Sequence, residues 1–257
     1  IRTLAHKHAM SELARTWEQI SSTQIHEEAP LTPYQEIFYL LSYNNEAINV
    51  VNQVGSFNLV MTAGKPEPHI IMQRALAGLA MRHPMLRAYI YLSPSMTPRQ
   101  RIAKDCPIPL SVYHTAGVAE HREAINATIR EYRNSPYDLT TPPLWRAALF
   151  IGENEHATLV LGFHHLIMDG WSISILAQDL AIFLEGEQAG SKPNLVDIPL
   201  TYMNYAYWLH EKCLPLIEKK QLSFWQNRLA GVPVQHSIPI DFIQAPSTQN
   251  NIETRQF

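Results

Sequence analysis

Gly162-Phe163-His164-His165-Leu166-Ile167-Met168-Asp169-Gly170-Trp171-Ser172 is the stretch on which the fold turns. It closes an apolar, β-rich run that begins at Thr158, sets two imidazoles side by side, and places an acid four residues after the second. A glycine then leads into an amphipathic segment. That order predicts a strand, a sharp polar turn and a helix start. Junctions of this kind aim side chains from rigid elements while the backbone stays open to a ligand. If the strand alternation continues past Phe163, the two rings point to opposite sides, so that one serves a cavity and the other the core.

The same patterning extends in both directions. Upstream, Trp145 to Ile151 and Thr158 to Phe163 form two β-rich runs about the polar turn Gly152-Glu153-Asn154-Glu155, which predicts a hairpin. Downstream, Ser172 is placed to cap a helix carrying Ile173, Leu176, Leu180, Phe183 and Leu184, closed by Gly186. A polar loop to Pro199 follows, then a helix from Thr201 to Leu229 broken at Pro215, then an extended exit over Pro233 to Pro239.

Nearer the start, residues 1 to 21 read as a helix with Leu4, His8, Leu13, Trp17 and Ile20 on one face, followed by a polar linker to Pro30. Thr32 is placed as the N-cap of the next helix, with Pro33 at its first position and Ile37, Leu40 and Leu41 as its apolar face. A strand over Val54 to Met61, with Gly55 as a bulge, precedes a helix from Pro68 to Arg82 that Pro84 stops. Leu86 to Leu92 reads as a strand, Ser93 to Pro109 as a loop, and Glu120 to Arg133 as a helix with Ala124, Ile125, Ile129 and Tyr132 inward. The sum is a mixed sheet with helices packed on it.

Composition narrows the function classes. The chain has 257 residues, 46% hydrophobic and 17% charged, enough for a large core. Its 20 Lys and Arg are balanced by 23 Asp and Glu with no long basic block, which argues against a nucleic-acid partner. No apolar run approaches the roughly 20 residues of a membrane span, and no signal peptide leads the chain, so neither a membrane partner nor export is expected and the location reads as cytoplasmic. Cys106 and Cys213 match no paired spacing and are expected as free thiols.

Three readings of the histidine turn follow from its chemistry. His165 and Asp169, with His164, are plausible metal ligands, but no further cluster completes a first shell and no metal is expected. Both histidines could instead be satisfied structural groups at a strand end. Or one imidazole, titrating near neutrality, accepts a proton from an attacking amine or hydroxyl, or holds that nucleophile by a hydrogen bond. No Ser or Cys sits in an activated setting, so covalent catalysis is not indicated.

His164-His165-Leu166-Ile167-Met168-Asp169-Gly170 resembles the HHxxxDG signature of the condensation domains of nonribosomal peptide synthetases, members of the chloramphenicol-acetyltransferase-like superfamily. Arg82-His83-Pro84-Met85-Leu86-Arg87 resembles the RHxxLR segment of that family. Tyr137-Asp138-Leu139 with Pro143-Leu144-Trp145-Arg146, Tyr202 to Trp208, and Phe224 to Leu229 are similar to its later motifs. Thr32-Pro33-Tyr34-Gln35-Glu36-Ile37 departs from the usual pattern of a small residue before the glutamine and an arginine after it.

The resemblance implies an α/β fold, a chloramphenicol-acetyltransferase-like lobe in which a mixed sheet packed with helices makes an open-faced two-layer sandwich. It implies an acyltransferase that forms an amide bond between a carrier-bound donor thioester and the amine of a carrier-bound acceptor. His165 would be the chemical residue, as base or as the group that positions the amine. Asp169 would pair with Arg82 to hold the loop, with Arg87 as a second framework arginine and His164 as part of the motif. Gly170 would line the passage of the phosphopantetheine arm, and Trp171 and Ser172 are candidates for the substrate tunnel. No cofactor would be bound directly, since substrates arrive on the phosphopantetheine of carrier proteins.

Partners implied are upstream and downstream carrier domains, an adjacent adenylation domain, and a C-terminal lobe. The expected organisation is a helix and linker over 1–29, similar to the tail of a carrier domain, an N-terminal lobe over 30–239, and the beginning of a C-terminal lobe over 240–257. A piece of this extent is expected to be inactive alone. The alternatives are a noncatalytic lobe that docks carriers, and an ester-forming acyltransferase of the same superfamily.

Overall fold

The structure is a computed structural model and describes residues 14–17, 26–44, 47–60, 67–152 and 156–232. Most of the helix read over residues 1 to 21, Met61, the tip of the hairpin turn and the segment beyond residue 232 lie outside the described residues. The chain divides into two compact units, Ile1–Cys213 and Leu214–Phe257.

The first unit holds two sheets. The larger has the order β2 (Asn52–Val60), β7 (His156–His164), β6 (Trp145–Ile151), β5 (Leu110–His114). Strand β7 runs antiparallel to both β2 and β6, and β5 lies parallel to β6. A parallel pair needs a crossover, which is supplied by helix α4 (Val118–Asn134). The smaller sheet, in the order β1 (Glu28–Pro30), β4 (Pro98–Ile102), β3 (Ala88–Leu92), is antiparallel throughout. The remaining elements are α1 (Pro33–Leu41), the short α2 (Ile48–Val51), α3 (Pro68–Arg82), a 3-10 turn over Pro84–Arg87, α5 (Gly170–Ala189) and α6 (Tyr202–Trp208).

Strands β6 and β7 are buried on both faces, which is why they read as nearly continuous apolar runs rather than as strict alternation. One face sends Trp145, Ala147, Leu149, Leu159, Leu161 and Phe163 into the main core, which also takes in Ile71, Met72, Ala75, Leu76 and Leu79 of α3 and Leu176, Leu180 and Leu184 of α5. The other face sends Ala148, Phe150 and Val160 under α4, where Tyr132, Ala124, Ile125 and Ile129 meet them as expected. Burying a Leu, Phe or Val side chain contributes roughly 1.5–3 kcal/mol each, so the hairpin is heavily stabilised from both faces. The indole of Trp145 donates to Leu86 O at 2.9 Å and leaves no polar atom stranded. At Gly162 the sheet and α4 approach so closely that a Cβ would stand 2.9 Å from Tyr132.

The hairpin, α3 with its stop before Pro84, and α4 lie where the sequence places them, and five other expectations are corrected. Gly55 forms no bulge, because the β2–β7 register runs unbroken through its pairing with Leu161. The segment expected as a loop over Ser93 to Pro109 contains β4, whose sequence Pro-Arg-Gln-Arg-Ile has no apolar alternation. Its central Gln100 is fully buried because Gln35 and the carbonyl of Pro30 satisfy its amide. The strand expected from Leu86 begins at Ala88, since the 3-10 turn takes up the residues that Pro84 initiates.

On α1 the inward face is Gln35 and Phe38, while Ile37 and Leu40 face outward, 55% and 69% exposed. Helix α5 does not stop at Gly186. It runs to Ala189 and ends on Gly190, which adopts the left-handed conformation that closes helices.

The interruption read at Pro215 is a π turn over Leu209–Cys213, ahead of helix α7 (Leu214–Leu229). Proline offers no N–H to the preceding turn, so the turn before it widens. Helix α7 is the described part of the second unit, in which Phe224 and Trp225 meet edge to face at 5.3 Å. No helix among the described residues is long and apolar enough to cross a membrane. Cys106 and Cys213 are both free.

Candidate active site

The turn after β7 is clamped by its backbone before any side chain is considered. His164 N donates to Leu144 O at 3.0 Å, His165 N to Val51 O at 2.7 Å, and Ile167 N to His164 O at 3.1 Å. Gln35 of α1 adds a donor to Leu166 O at 2.9 Å. Gln35 is itself anchored at both ends. Its carbonyl accepts from Thr32 N in a capping box that starts α1, and its amide pairs reciprocally with Gln100 of β4.

The two imidazoles face opposite sides, as strand alternation requires. His164 is 1% exposed, and burial beside His165 holds its pKa down at about 4. Both its nitrogens are engaged, Nδ1 with Leu166 N at 3.1 Å and Nε2 with Ser42 Oγ at 2.9 Å. His165 lies on the wall of a cavity of about 490 Å³. Its ring stacks on Phe38 with centroids 4.0 Å apart and planes 17° from parallel, and Tyr34 approaches its edge at 5.9 Å. Its Nδ1 is buried and has no hydrogen-bond partner among the described residues, so no carboxylate braces this ring.

The cavity is bounded by α1, the 3-10 turn, the histidine turn, the start of α5 and the residues that lead into α6. Its wall carries the polar residues Gln35, Asp169, Ser172, Thr201 and Tyr202 and the apolar residues Met85, Leu86, Met168, Ile175, Leu176 and Leu200. Mostly apolar walls with a few convergent polar groups are the usual character of small-molecule sites.

Asp169 is the N-cap of α5, in place of the Ser172 expected there. Its Oδ1 accepts from Ser172 N at 2.8 Å and from Ser172 Oγ at 2.5 Å. Burial pushes its carboxyl up, but the Ser172 donors, the neighbouring His165 and the Trp171 amide outweigh that and hold it below the ordinary carboxylate range.

The expected Asp169–Arg82 pair does not form. Arg82 Nε is 2.7 Å from Asp179 Oδ2, and the same oxygen is 2.7 Å from His83 Nε2. Asp179 lies on the face of α5 that carries Leu176 and Leu180, and is 8% exposed. An acid at core-facing spacing in an apolar helix marks a buried pair, and that was the signal in the sequence. Arg87 bonds backbone carbonyls, Nε to Ala80 O at 3.1 Å and Nη1 to Ala103 O at 2.5 Å, tying the end of α3 to the segment after β4.

Of the residues singled out in the sequence, the structure brings His165, Asp169 and Ser172 to one cavity. Trp171 stands apart from its walls and is 85% exposed, and Gly170 is exposed with open space where a side chain would begin. Sequence reading missed Gln35, Phe38, Ser42 and His83. The first three lie three and four residues apart on one face of α1 and at its cap, the face hidden by reading apolarity alone. Among the described residues no group of three or more His, Cys, Asp and Glu is placed to hold a metal ion.

Comparison with known proteins places this geometry in context. The family model described as "Condensation domain" matches residues 25–257. Phosphinothricin tripeptide synthetase PhsC of Streptomyces viridochromogenes is 30% identical over 184 residues, 69% of this chain and 16% of that protein. Surfactin synthase subunit 1 of Bacillus subtilis is 32% identical over 221 residues, 85% of this chain and 6% of that protein.

Among solved structures, the X-domain from teicoplanin biosynthesis superposes with a TM-score of 0.70 at 25% identity, covering 86% of this chain and 47% of that one. The starter condensation domain of rhizomide synthetase RzmA shares the fold with a TM-score of 0.69 at 19% identity, covering 81% of this chain and 49% of that one. The chain thus spans about half the length of the structures it resembles, and a small part of the synthetases.

Proposed function

Because the chain belongs to the condensation-domain family, we propose that it is the first lobe of a domain that joins a carrier-bound donor thioester to the amine of a carrier-bound acceptor. The observation that carries this reading is His165, set on the wall of a 490 Å³ cavity with its ring braced by Phe38. The amine nitrogen attacks the thioester carbonyl, the carbon–sulfur bond breaks, and the thiolate leaves with the proton the amine gives up. With Nδ1 of His165 buried, Nε2 is the nitrogen that a substrate would meet.

No carboxylate among the described residues accepts a hydrogen bond from Nδ1 of this imidazole, in contrast to a catalytic triad. An attacking amine loses its proton readily once the new bond has formed, so holding it in line is the larger contribution. His165 therefore acts by accepting a hydrogen bond from the amine. Asp169 shapes the start of α5 beside it, Arg82 ties α3 to α5 through Asp179, and Arg87 fixes the end of α3. Ser172 belongs to the polar part of the wall, while the exposed Trp171 and Gly170 border the approach of the phosphopantetheine arm.

In this reading residues 30–239 make the lobe, 1–29 are the tail of an upstream carrier domain, and 240–257 begin the second lobe. Carrier domains and an adenylation domain are its partners. Catalysis belongs to the whole domain, so the 257 residues alone should give no product.

The test supplies the chain with a second lobe, a carrier-bound donor and an amine acceptor, and compares His165→Ala with the parent. Loss of turnover is expected, and unchanged turnover refutes the assignment. Ester formation from an alcohol acceptor in place of the amide would favour the ester-forming alternative. One observation favours a docking role as a second reading: the X-domain from teicoplanin biosynthesis, similar at 25% identity, is known in complex with OxyB. A chain that binds a partner with undiminished affinity as His165→Ala and makes no amide would support it.

A further inference from the structure

The first histidine of the pair is not itself among the residues that line the cavity, yet its hydrogen bonds lead back to the second. The direction of each bond is determined by the donors available. Leu166 N can only donate, so Nδ1 of His164 accepts at 3.1 Å and the ring proton sits on Nε2. That N–H then donates to Ser42 Oγ at 2.9 Å, and the hydroxyl of Ser42 donates in turn to Phe38 O at 2.5 Å. Phe38 is the residue whose ring lies flat against His165, 4.0 Å between centroids. Every group in the run has a partner in the correct sense, and His164 is almost fully buried.

We propose that Phe38 of α1 and Ser42 at its C-terminal cap, the latter engaged by His164, are positioning residues for His165, setting the ring plane from which it meets the substrate. A buried ring is ordinarily aimed by a hydrogen bond to its second nitrogen. His165 lacks that bond, and its Nδ1 has no partner among the described residues. Its orientation rests instead on the face of Phe38 and on the backbone bond from His165 N to Val51 O.

Phe38 holds its place because its own carbonyl is tied to Ser42, and because Gln35, one turn earlier on the same helix face, is tied to Leu166 O. The relay closes on itself, since His164 also holds the Leu166 amide in the turn that carries His165. The neutral form of His164 that these bonds require is the form its buried site favours.

The first readout does not depend on turnover. In the 257-residue chain, the carbon-bound ring protons of His165 are assigned by their loss in His165→Ala. They should resonate upfield because the Phe38 ring shields them. Phe38→Leu should move them downfield and Phe38→Tyr, which keeps the ring, should not. Ser42→Ala should shift them in the same direction as Phe38→Leu, and Ser42→Thr, which keeps the hydroxyl, should restore them.

The second readout rests on the reading of His165 as the reacting group. In the chain supplied with a second lobe, Ser42→Ala should lower kcat by about ten- to a hundredfold with KM unchanged, the size of effect expected when a reacting group is displaced by up to an ångström. Ser42→Thr should return it. His165 signals unmoved by Ser42→Ala, or moved equally by Ser42→Thr, would overturn the relay. Turnover that survives His165→Ala would sink the proposed function and leave the spectroscopic result standing.

Discussion

Acid should destabilise this lobe through His164 as pH falls from 6.5 toward 4. The perturbation is a fall in pH from neutrality. The unfolded chain carries this imidazole with its ordinary pKa of 6.5, whereas burial and the neighbouring His165 hold it at about 4 in the fold. Between those values the unfolded state binds more protons than the folded one, so stability rises with pH across the window. The contribution is fully present above pH 6.5 and is lost as pH falls toward 4. A gap of that size converts to about 3 kcal/mol at 1.36 kcal/mol per unit, a large share of the 5–15 kcal/mol typical of a domain.

The structural cause is specific. Protonating Nδ1 would place a proton where Leu166 N already donates, and the new charge would sit unpaired in the core. The assay is the urea midpoint between pH 7 and 4 for the parent and for His164→Gln, which cannot titrate. Other titrating groups cancel in the difference, and any fixed cost of the substitution appears as a constant offset. The two curves should converge by about 3 kcal/mol on acidification. Parallel curves across the whole range would show that His164 is not held neutral by burial and would refute the reasoning.

Exchanging the two acids tests the corrected ion pair. Asp179→Ala strands Arg82 and His83 in a largely buried site and should cost about 3 kcal/mol, while Asp169→Ala removes a helix cap and should cost about 1 kcal/mol. The reverse order of melting temperatures would restore the Asp169–Arg82 pairing. Gln35→Leu leaves Leu166 O and Gln100 without their partner and should destabilise by about 1–3 kcal/mol, read as a lowered denaturant midpoint with its slope unchanged. Gly78→Ala puts a Cβ 2.5 Å from a ring carbon of Phe183 where α3 packs on α5. It should cost about 1–3 kcal/mol, and the cost should shrink in the Phe183→Leu background if that contact is its source.

What was legible in the chain was whatever repeats at short range. The β6–β7 hairpin, α3 between its prolines, the inward face of α4 and the opposite facing of His164 and His165 all follow from a period of two or of 3.6, which local sequence records directly. The motif order then placed the chain in its family, and the match over residues 25–257 agrees.

Tertiary structure decided the pairings of polar groups. Gln35 meets Gln100 across 65 positions, Arg82 meets Asp179 across 97, and Ser42 meets His164 across 122. No periodicity announces such partners. A polar residue reads as surface until the fold brings it the one group that makes its burial tolerable. Strand β4 therefore carries no strand pattern of its own, and the apolar Ile37 and Leu40 face outward on α1 while Gln35 faces inward. By itself the sequence determined that two adjacent imidazoles would stand at the end of β7, where alternation turns them to opposite sides. Which acid holds Arg82, and which ring His165 rests on, were decided only when separate elements closed on one core.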